Sequence, residues 1–530
     1  MKRLLVMILL TIGILLLLPA ASALAQGGDL VISGRVTAEE DGAPVAGATV
    51  TIETLGLTAQ TGPDGRFTLT VPAAQARGQA MEVRVLAPRY QSRVASLSLN
   101  PGAVTQDFAL GYSFQQEVTV GSRAMGAAAE KAVPVDVFTE EQIQSATGTT
   151  ETNQIIQALS PSFNFPRPTI TDGTDSVRPA TLRSLGSDQL LVLINGKRRH
   201  TSALINVNNS VGRGSTGVDL NAIPAALIER IEILRDGAAA QYGSDAIAGV
   251  INIVLKDEAN PLTVGLKGGT TTHSDGALID THALWGPAAG RGAVNFVGEF
   301  RDRSETNRAG FDPRDQVVAG DAGNNAVPQP NHHWGDSDAK DIMGWVNANI
   351  PINESGTTSF YGFGGWSRRE GRHGGFYRRA LDARNWPQIY PLGFLPLIEP
   401  EVEDYSGTAG VHGVLAHNLF WDVSAQYGHN RFDFNISNSL NTSLGPNIPP
   451  NKTSFYAGSL EFNHVLVNAD FTREFDVGLA GPLNAAAGVE YRRENFQQFA
   501  GEPDSYRDGG FPNQFGRPAE LGSQVFPGYR

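Results

Sequence analysis

The 530-residue chain contains no cysteine. That absence excludes a disulfide framework, thiolate metal sites, a thiol nucleophile and a lipidated N-terminal cysteine. Charged residues are scarce at 18%, and their balance is acidic, 41 Lys and Arg against 54 Asp and Glu, a net −13. Nucleic-acid binders normally present a basic face, so no nucleic-acid partner is expected. None of the ten histidines falls in a paired metal-ligand spacing such as H-E-x-x-H, so no metal or cofactor is expected either. The chain also lacks a G-x-S-x-G elbow and a glycine-rich phosphate loop. No catalytic residue is assigned, and the chain is read as not an enzyme. Beyond the first 25 residues there is no apolar run long enough for a membrane helix. Any later membrane-embedded part must therefore be a barrel, because only helices and closed barrels satisfy their backbone groups in lipid.

What is present begins with Met1-Lys2-Arg3, an apolar run from Leu4 to Leu18, and the small residues Ala21-Ser22-Ala23-Leu24-Ala25. This is the pattern of a cleaved secretory signal ending at Ala25. Residues 29–110 then alternate in short β-rich runs, Leu30–Val36, Ala48–Ile52, Arg66–Val71, Met81–Leu86 and Val94–Leu99. Turn residues separate them, most clearly Gly62-Pro63-Asp64-Gly65, so a small β-sandwich is expected. Asp64 reads as a turn former, since an aspartate side chain bonds the backbone just after it. The stretch from Gly34 through Pro44–Val50 to Thr61–Phe67 resembles the carboxypeptidase regulatory-like domain.

Residues 117–257 read as a mixed α/β unit. Val133–Phe138 suggests a strand, and Thr139 caps a helix with Gln142 in the capping-box position. A second helix is expected over Thr150–Leu159, ending before Pro161. Leu190–Ile194 is a buried strand closed by Asn195-Gly196, the strongest short hairpin signal. The basic run Lys197-Arg198-Arg199-His200 follows, and it is expected to be a solvated strand on so acidic a chain. Leu182-Arg183-Ser184-Leu185-Gly186, Leu190–Arg199, Ile228–Gly237 (with Glu229, Arg230, Glu232, Arg235 and Gly237) and Tyr242–Ile253 (with Tyr242, Gly243, Ala246, Gly249 and Asn252) occur in order. Together they resemble the plug domain of TonB-dependent outer-membrane receptors. By that resemblance Glu117-Val118-Thr119-Val120-Gly121 sits where the family carries its TonB box. In an isolated strand, Glu232 and Arg230 would share a half-exposed face opposite Ile231 and Ile233. In a plug, the same charges could latch the domain to a barrel wall.

Residues 262–530 carry nine alternating segments, Leu262–Thr270, Ala277–Trp285, Gly292–Arg301, Asp341–Ile350, Thr357–Ser367, Tyr405–Ala416, Leu419–Asn435, Tyr456–Thr472 and Asn484–Phe496. Short and long connections alternate between them after a brief first one, as in outer-membrane barrels with short periplasmic turns and long outer loops. The long connections, near Asp302–Lys340, Arg368–Asp404 and Ile436–Phe455, are rich in aromatic and basic side chains. Arg372, His373, Phe376, Tyr377 and Trp386 are their ligand candidates, with an anionic ligand one possibility.

The fold class is thus mainly β: a signal peptide, a small β-sandwich, an α/β plug, and antiparallel transmembrane barrel strands. A family that uses about twenty-two strands implies a barrel cut short here, and a full-length gene extending beyond Arg530. The resemblance further implies a receptor of the bacterial outer membrane, with plug and N-terminal domain on the periplasmic side. It would bind a scarce extracellular ligand such as a siderophore, vitamin, glycan or peptide. Its partners would be outer-membrane lipid and TonB, with its inner-membrane ExbB/ExbD complex, as the energy source. The alternative is a secreted or surface-exposed β-rich binding protein or adhesin without active transport.

Overall fold

The computed structural model describes residues 29–110 and 135–530, apart from 40–41, 88–89, 91–92, 209, 322–324, 354–356, 416–418, 448–451, 476 and 478–482. The expected signal peptide and the Glu117–Gly121 segment lie outside the described residues. Two compact units are present, Met1–Phe114 and Gln115–Arg530.

The first unit is a β-sandwich. One sheet joins β1 (Leu30–Ala38), β4 (Arg66–Val71), β7 (Gly102–Thr105) and β8 (Phe108–Leu110). The other joins β2 (Thr49–Ile52), β3 (Leu57–Gln60), β5 (Ala80–Leu86) and β6 (Arg93–Ser98) in the order β3-β2-β5-β6. Alternation along β4 sends Phe67, Leu69 and Val71 into the core with Leu30, Ile32, Val50 and Val85. Buried Thr61 ties two segments: its hydroxyl donates to the Val45 carbonyl at 2.7 Å and accepts from the Ala48 N–H at 2.8 Å. Asp64 is a turn residue, accepting the Arg66 N–H at 3.1 Å, and Gly65 takes a φ of +75° that a side chain would resist. The strands β3, β7 and β8 carry too few residues to register as periodic runs in the sequence.

The second unit opens with a five-stranded mixed sheet in the order β13-β12-β15-β14-β9. Its strands are β9 (Val135–Thr139), β12 (Leu190–Ile194), β13 (Lys197–Arg198), β14 (Ile228–Leu234) and β15 (Gly249–Leu255), with a two-stranded ladder of β10 (Phe163–Asn164) and β11 (Thr181–Leu182) beside it. The helices are Glu140–Ser145, Thr152–Leu159 and the single turn Ala239–Tyr242. Gln142 accepts the Thr139 N–H at 3.0 Å, so the predicted helix start holds. β12 and β15 are parallel and buried along their whole length. Such strands read as continuous apolar runs because both faces are covered.

A single antiparallel sheet follows: β16 (Asn260–Gly269), β17 (Leu278–Gly286), β19 (Gly292–Arg303), β20 (Asp338–Pro351), β21 (Thr358–Gly374), β24 (Leu397–Leu415), β25 (Leu419–Ser437), β26 (Phe455–Phe475) and β27 (Leu483–Ala500), in that order. Two small ladders flank it, β18 (Ala288–Ala289) on β19, and β22 (Arg378–Arg379) with β23 (Gly393–Phe394). All nine expected segments are strands. Those around the long connections run further than their alternation suggested, so Arg368, Arg369, Arg372, His373 and Asp404 belong to strands rather than loops. Among the described residues, β16 and β27 each pair on one side only.

The amphipathicity of this sheet is inverted relative to a soluble protein. On β19 the face turned inward carries Asn295, Glu299 and Arg301, all buried, and the outward face carries Phe296 and Phe300, both exposed. On β20, Asp341 and Asn347 are inside while Ile342 is outside. Polar inside and apolar outside is what a strand needs when lipid is its outer solvent. Among the described residues no helix is long and apolar enough to cross a membrane.

Candidate functional site

The mixed sheet is the plug of this second unit, and its apolar core is continuous with the inner face of the strands. Ile231, Ile233, Ile251 and Ile253 cluster with Leu284, Val297, Trp345, Tyr361 and Phe363. Inside the plug, the motif residues form one buried polar chain. Asn195 (φ +48°) and Gly196 (φ +75°) make the hairpin turn, and the Gly196 N–H donates to Asn252 Oδ1 at 3.0 Å. Asn252 Nδ2 donates to Glu232 at 3.1 Å, and Glu232 pairs with Arg230 at 2.9 Å. Glu232 is 2% exposed, so the half-exposed face expected for it is corrected. Asn252 on β15 and Arg230 on the same strand hold its carboxylate, and a buried carboxylate is held only where such partners exist.

Other motif residues brace the plug locally. Arg183, at φ +56°, donates to the Arg235 carbonyl at 2.9 Å, and Arg235 pairs with Asp136 at 2.8 Å. Arg230 also pairs with Glu229 at 3.4 Å. The Gly237 N–H donates to Asp236 Oδ1 at 2.9 Å, and Gly243 takes φ +92°. Ala246 is buried. A side chain at Gly186 would press on Asp188 Oδ1 at 2.5 Å. The carbonyl of Tyr242 accepts from Arg198, which also pairs with Asp245.

The basic run, expected to be solvated, is instead a principal plug-to-wall latch. Lys197 Nζ lies 2.7 Å from Asp422 on β25 and 3.7 Å from Asp470 on β26. Arg199 pairs with Asp404 on β24, donates to Ser406, and lies 5.3 Å over the Trp345 ring. His200 Nε2 is 2.9 Å from the other oxygen of Asp404. Burial first, then the neighbouring Arg199, holds His200 below its ordinary value against the pull of Asp404. Arg199 and His200 are 4% and 2% exposed, which decides between a solvated strand and a latch.

A second latch meets the plug turn at Asp219. Arg369 on β21 bonds Asp219 at 2.7 Å and Asp341 at 2.6 Å, while Arg301 on β19 bonds Asp341 at 3.2 Å and the Asn221 carbonyl at 3.3 Å. A third lies at the long-connection end, where Asp336 takes Arg178 at 2.8 Å and Arg167 at 2.9 Å. Asp404, Asp341, Arg301 and Asp336 were not singled out from the sequence. The signal available for the strand residues was a charged side chain on the polar face of a period-two strand.

The ligand candidates divide. His373 is buried between Ser176 of the plug, at 2.8 Å, and Ser337, at 2.6 Å. Tyr377 donates to the Leu392 carbonyl at 3.0 Å, and Trp386 donates to the Thr442 carbonyl at 2.9 Å; both are buried among the connections. Phe376 and Arg372 are exposed, Arg372 beside Glu399 at 3.7 Å. Among the described residues no cluster of His, Asp and Glu could hold a metal ion.

A plug loop reaches the same end through a strained turn, with φ of +59° at Ile170, +55° at Asp172 and +113° at Gly173. Burial, followed by the nearby Asp175 carboxylate, pushes Asp172 up to about 7 against its bond from Asn208. The folded chain therefore keeps this proton where the unfolded chain has lost it. Its stabilising contribution is whole below about 4 and disappears as pH rises through about 7. Asp172→Asn should flatten the pH dependence of the unfolding midpoint across that window; an unchanged slope would refute the assignment.

Comparison with known proteins agrees with this architecture. Residues 127–250 match the TonB-dependent receptor plug domain, and residues 31–111 match the carboxypeptidase regulatory-like domain. The probable TonB-dependent siderophore receptor PirA of Acinetobacter baumannii is 32% identical over 136 residues, 25% of this chain and 17% of that protein. The vitamin B12 transporter BtuB of Vibrio vulnificus is 31% identical over 136 residues, 25% of this chain and 19% of that protein. A crystal structure of the ferric enterobactin receptor PfeA in complex with BCV-L6 superposes with a TM-score of 0.50 at 20% identity, covering 71% of this chain and 51% of that one. The chain thus spans about half the length of that solved relative, and the likeness is one of fold. Relatives of this kind are receptors and transporters rather than enzymes. The chain accordingly carries a domain that matches the TonB-dependent receptor plug, a domain earlier in the sequence that matches the carboxypeptidase regulatory-like domain, and antiparallel strands folded like those of that solved receptor.

Proposed function

We propose that the chain is part of an outer-membrane receptor that binds a scarce extracellular nutrient and imports it with energy delivered by TonB. The observation that carries this reading is the plug itself. A folded domain sits against the polar inner face of lipid-type strands, held by buried ion pairs that a pull could break. The long connections at one end would face the exterior and take the ligand. The plug and the regulatory-like domain would face the periplasm, where TonB, coupled to ExbB/ExbD, would engage Glu117–Gly121. Selectivity then comes from contacts in the mouth and energy from outside the chain, so no covalent chemistry is needed. The plug match and the receptors and transporters it resembles support this reading.

Deleting Glu117–Gly121 should abolish uptake by cells while leaving ligand binding at the surface unchanged. Uptake that survives the deletion would remove the TonB-box assignment. Surface binding with no uptake in the unaltered chain would favour an adhesin.

A further inference from the structure

One segment of the long connections, residues 522–529, is wedged between the wall and the plug. Phe526 stacks on Phe434 of β25, with ring centroids 4.3 Å apart and planes 5° from parallel. Tyr529 stands edge-on to both rings, 5.7 Å from Phe434 and 5.4 Å from Phe526. Val177, Ala203 and Leu204 of the plug belong to the same apolar cluster. The strained plug turn packs closely on it, since a side chain at Gly173 would meet the Phe432 ring at 2.9 Å.

The polar part of this strap lies on a buried cation. Arg378, 7% exposed, donates from Nε to Gln524 Oε1 at 3.2 Å and from Nη1 to the Phe376 carbonyl at 3.0 Å. Both acceptors are neutral. Neighbouring arginines are held differently: Asp312 grips Arg314 with both oxygens, at 2.8 and 2.7 Å, and Asp382 grips Arg384 at 2.9 and 3.0 Å. Among the described residues, Arg379, Arg517 and Arg530 also lack a carboxylate partner, but each is at least partly open to water. A buried guanidinium is satisfied best by the planar oxygens of an anion, and Arg378 has a single side-chain amide oxygen in that place.

The strap is held in a strained form. Val525 takes φ +79°, a conformation that a β-branched residue adopts only when its surroundings force it. Its side chain packs over Gly375, where an added Cβ would lie 2.4 Å from Val525 Cγ2. The Gln524 N–H donates to the Leu440 carbonyl at 3.0 Å, and Ser439 Oγ donates to the Gln524 carbonyl at 2.9 Å. Gly522, at φ +85°, and Gly528 bound the strained part. Beyond Gly528, Tyr529 is anchored on its own: its N–H donates to Ala457 and its carbonyl accepts from Gly501, both at 2.9 Å. Residues 523–527 can therefore swing out while Tyr529 and Phe434 stay in place.

We infer that Gln524 and Phe526 are an internal stand-in for a ligand, occupying a seat for a small aromatic carboxylate. The ligand ring would take the place of Phe526 between Phe434 and Tyr529, and its carboxylate would replace the Gln524 amide on Arg378. The inference rests on the receptor reading above and names its ligand class. Plug residues complete the seat, so a ring held there bears directly on the plug.

The test is calorimetric titration of the full chain, purified from outer membranes in detergent, with three probes. These are naphthoate, its neutral amide, and cyclohexanecarboxylate, which keeps the anion and lacks the aromatic ring. Naphthoate is expected to bind more tightly than either analogue by about tenfold or more. Phe526→Ala should tighten naphthoate binding by about tenfold, because it removes the internal competitor. Gln524→Glu should weaken it by about tenfold, because the strap then offers Arg378 a carboxylate of its own. Arg378→Gln should erase the preference for naphthoate over the amide. The first two variants shift affinity in opposite directions, which a general loss of folding cannot imitate. Weaker binding by Phe526→Ala, or equal affinity for naphthoate and either analogue, would overturn the inference and leave the receptor reading intact. Absence of binding to all three probes by a chain recovered from the outer membrane would do the same. A chain that never reaches the outer membrane would refute the receptor reading, and this inference with it.

Discussion

Replacing Arg199 by alanine is expected to destabilise the second unit by about 3–5 kcal/mol, the range for a buried ion pair robbed of one partner. Arg199 is nearly solvent-free, and its guanidinium holds both Asp404 and Ser406 while lying over Trp345. Without it, the Asp404 carboxylate stays buried with His200 at 2.9 Å and Asn430 at 3.0 Å as its remaining partners. Asn430 in turn accepts the Ala203 N–H at 2.6 Å, so the loss propagates to the backbone of the plug. Arg199→Lys should recover only part of the stability, because an ammonium cannot reproduce the planar fork. The double variant Arg199→Ala/Asp404→Ala should cost less than the sum of the single changes, since it removes the stranded charge along with the bond. Denaturant unfolding of the full chain in micelles, followed through a double-mutant cycle, provides the measurement. A single variant within about 1 kcal/mol of the parent would mean that the latch is wetter than its burial implies.

The second large effect is expected at Gly249, the first residue of β15. Its φ is +150°, and a Cβ built there would lie 2.2 Å from the Leu234 carbonyl oxygen and 2.6 Å from Leu182 Cδ2. The oxygen belongs to the paired strand β14, whose Leu234 faces Val250, so it cannot retreat without opening the ladder. Overpacking and an unfavourable backbone conformation each cost about 1–3 kcal/mol, so Gly249→Ala should lose about 3 kcal/mol or more. Gly298→Ala on β19 is the matched control, because a methyl group there meets nothing within 4 Å. It should be neutral or slightly stabilising, as alanine loses less conformational freedom than glycine on folding. Thermal unfolding of both variants tests the contrast, and equal midpoints would refute it.

The nine long strands were visible in the sequence because lipid on one side and a polar interior on the other impose a strict two-residue period. Asp422, Ser424 and Gln426 alternate with Val423, Ala425 and Tyr427 along β25. The strand ends were less visible. Beyond Ser367 the chain runs through Arg368-Arg369-Glu370-Gly371-Arg372, where the apolar face lapses, yet backbone pairing continues to Asp338↔Arg372. A ladder needs only its amides and carbonyls, so it outlasts the hydrophobic pattern that advertised it. The plug was legible for another reason: Asn195-Gly196 demands a tight turn, and the β12 and β15 runs are apolar on both faces.

The roles of the charged residues followed neither rule. Glu232 and Arg230 belong to a polar chain of the plug that runs through Asn252, which their spacing in the sequence did not reveal. Lys197, Arg199 and His200 suggested a solvated strand, and they are the latch. The sequence by itself determined the order of a sandwich, a plug and lipid-type strands, because periodicity, turn chemistry and apolar runs are local properties. Only the tertiary structure decided which charges are buried and what they hold. Asp404 and Asp422 lie more than two hundred residues from Arg199 and Lys197, and burial is conferred by the partner that folding brings against them.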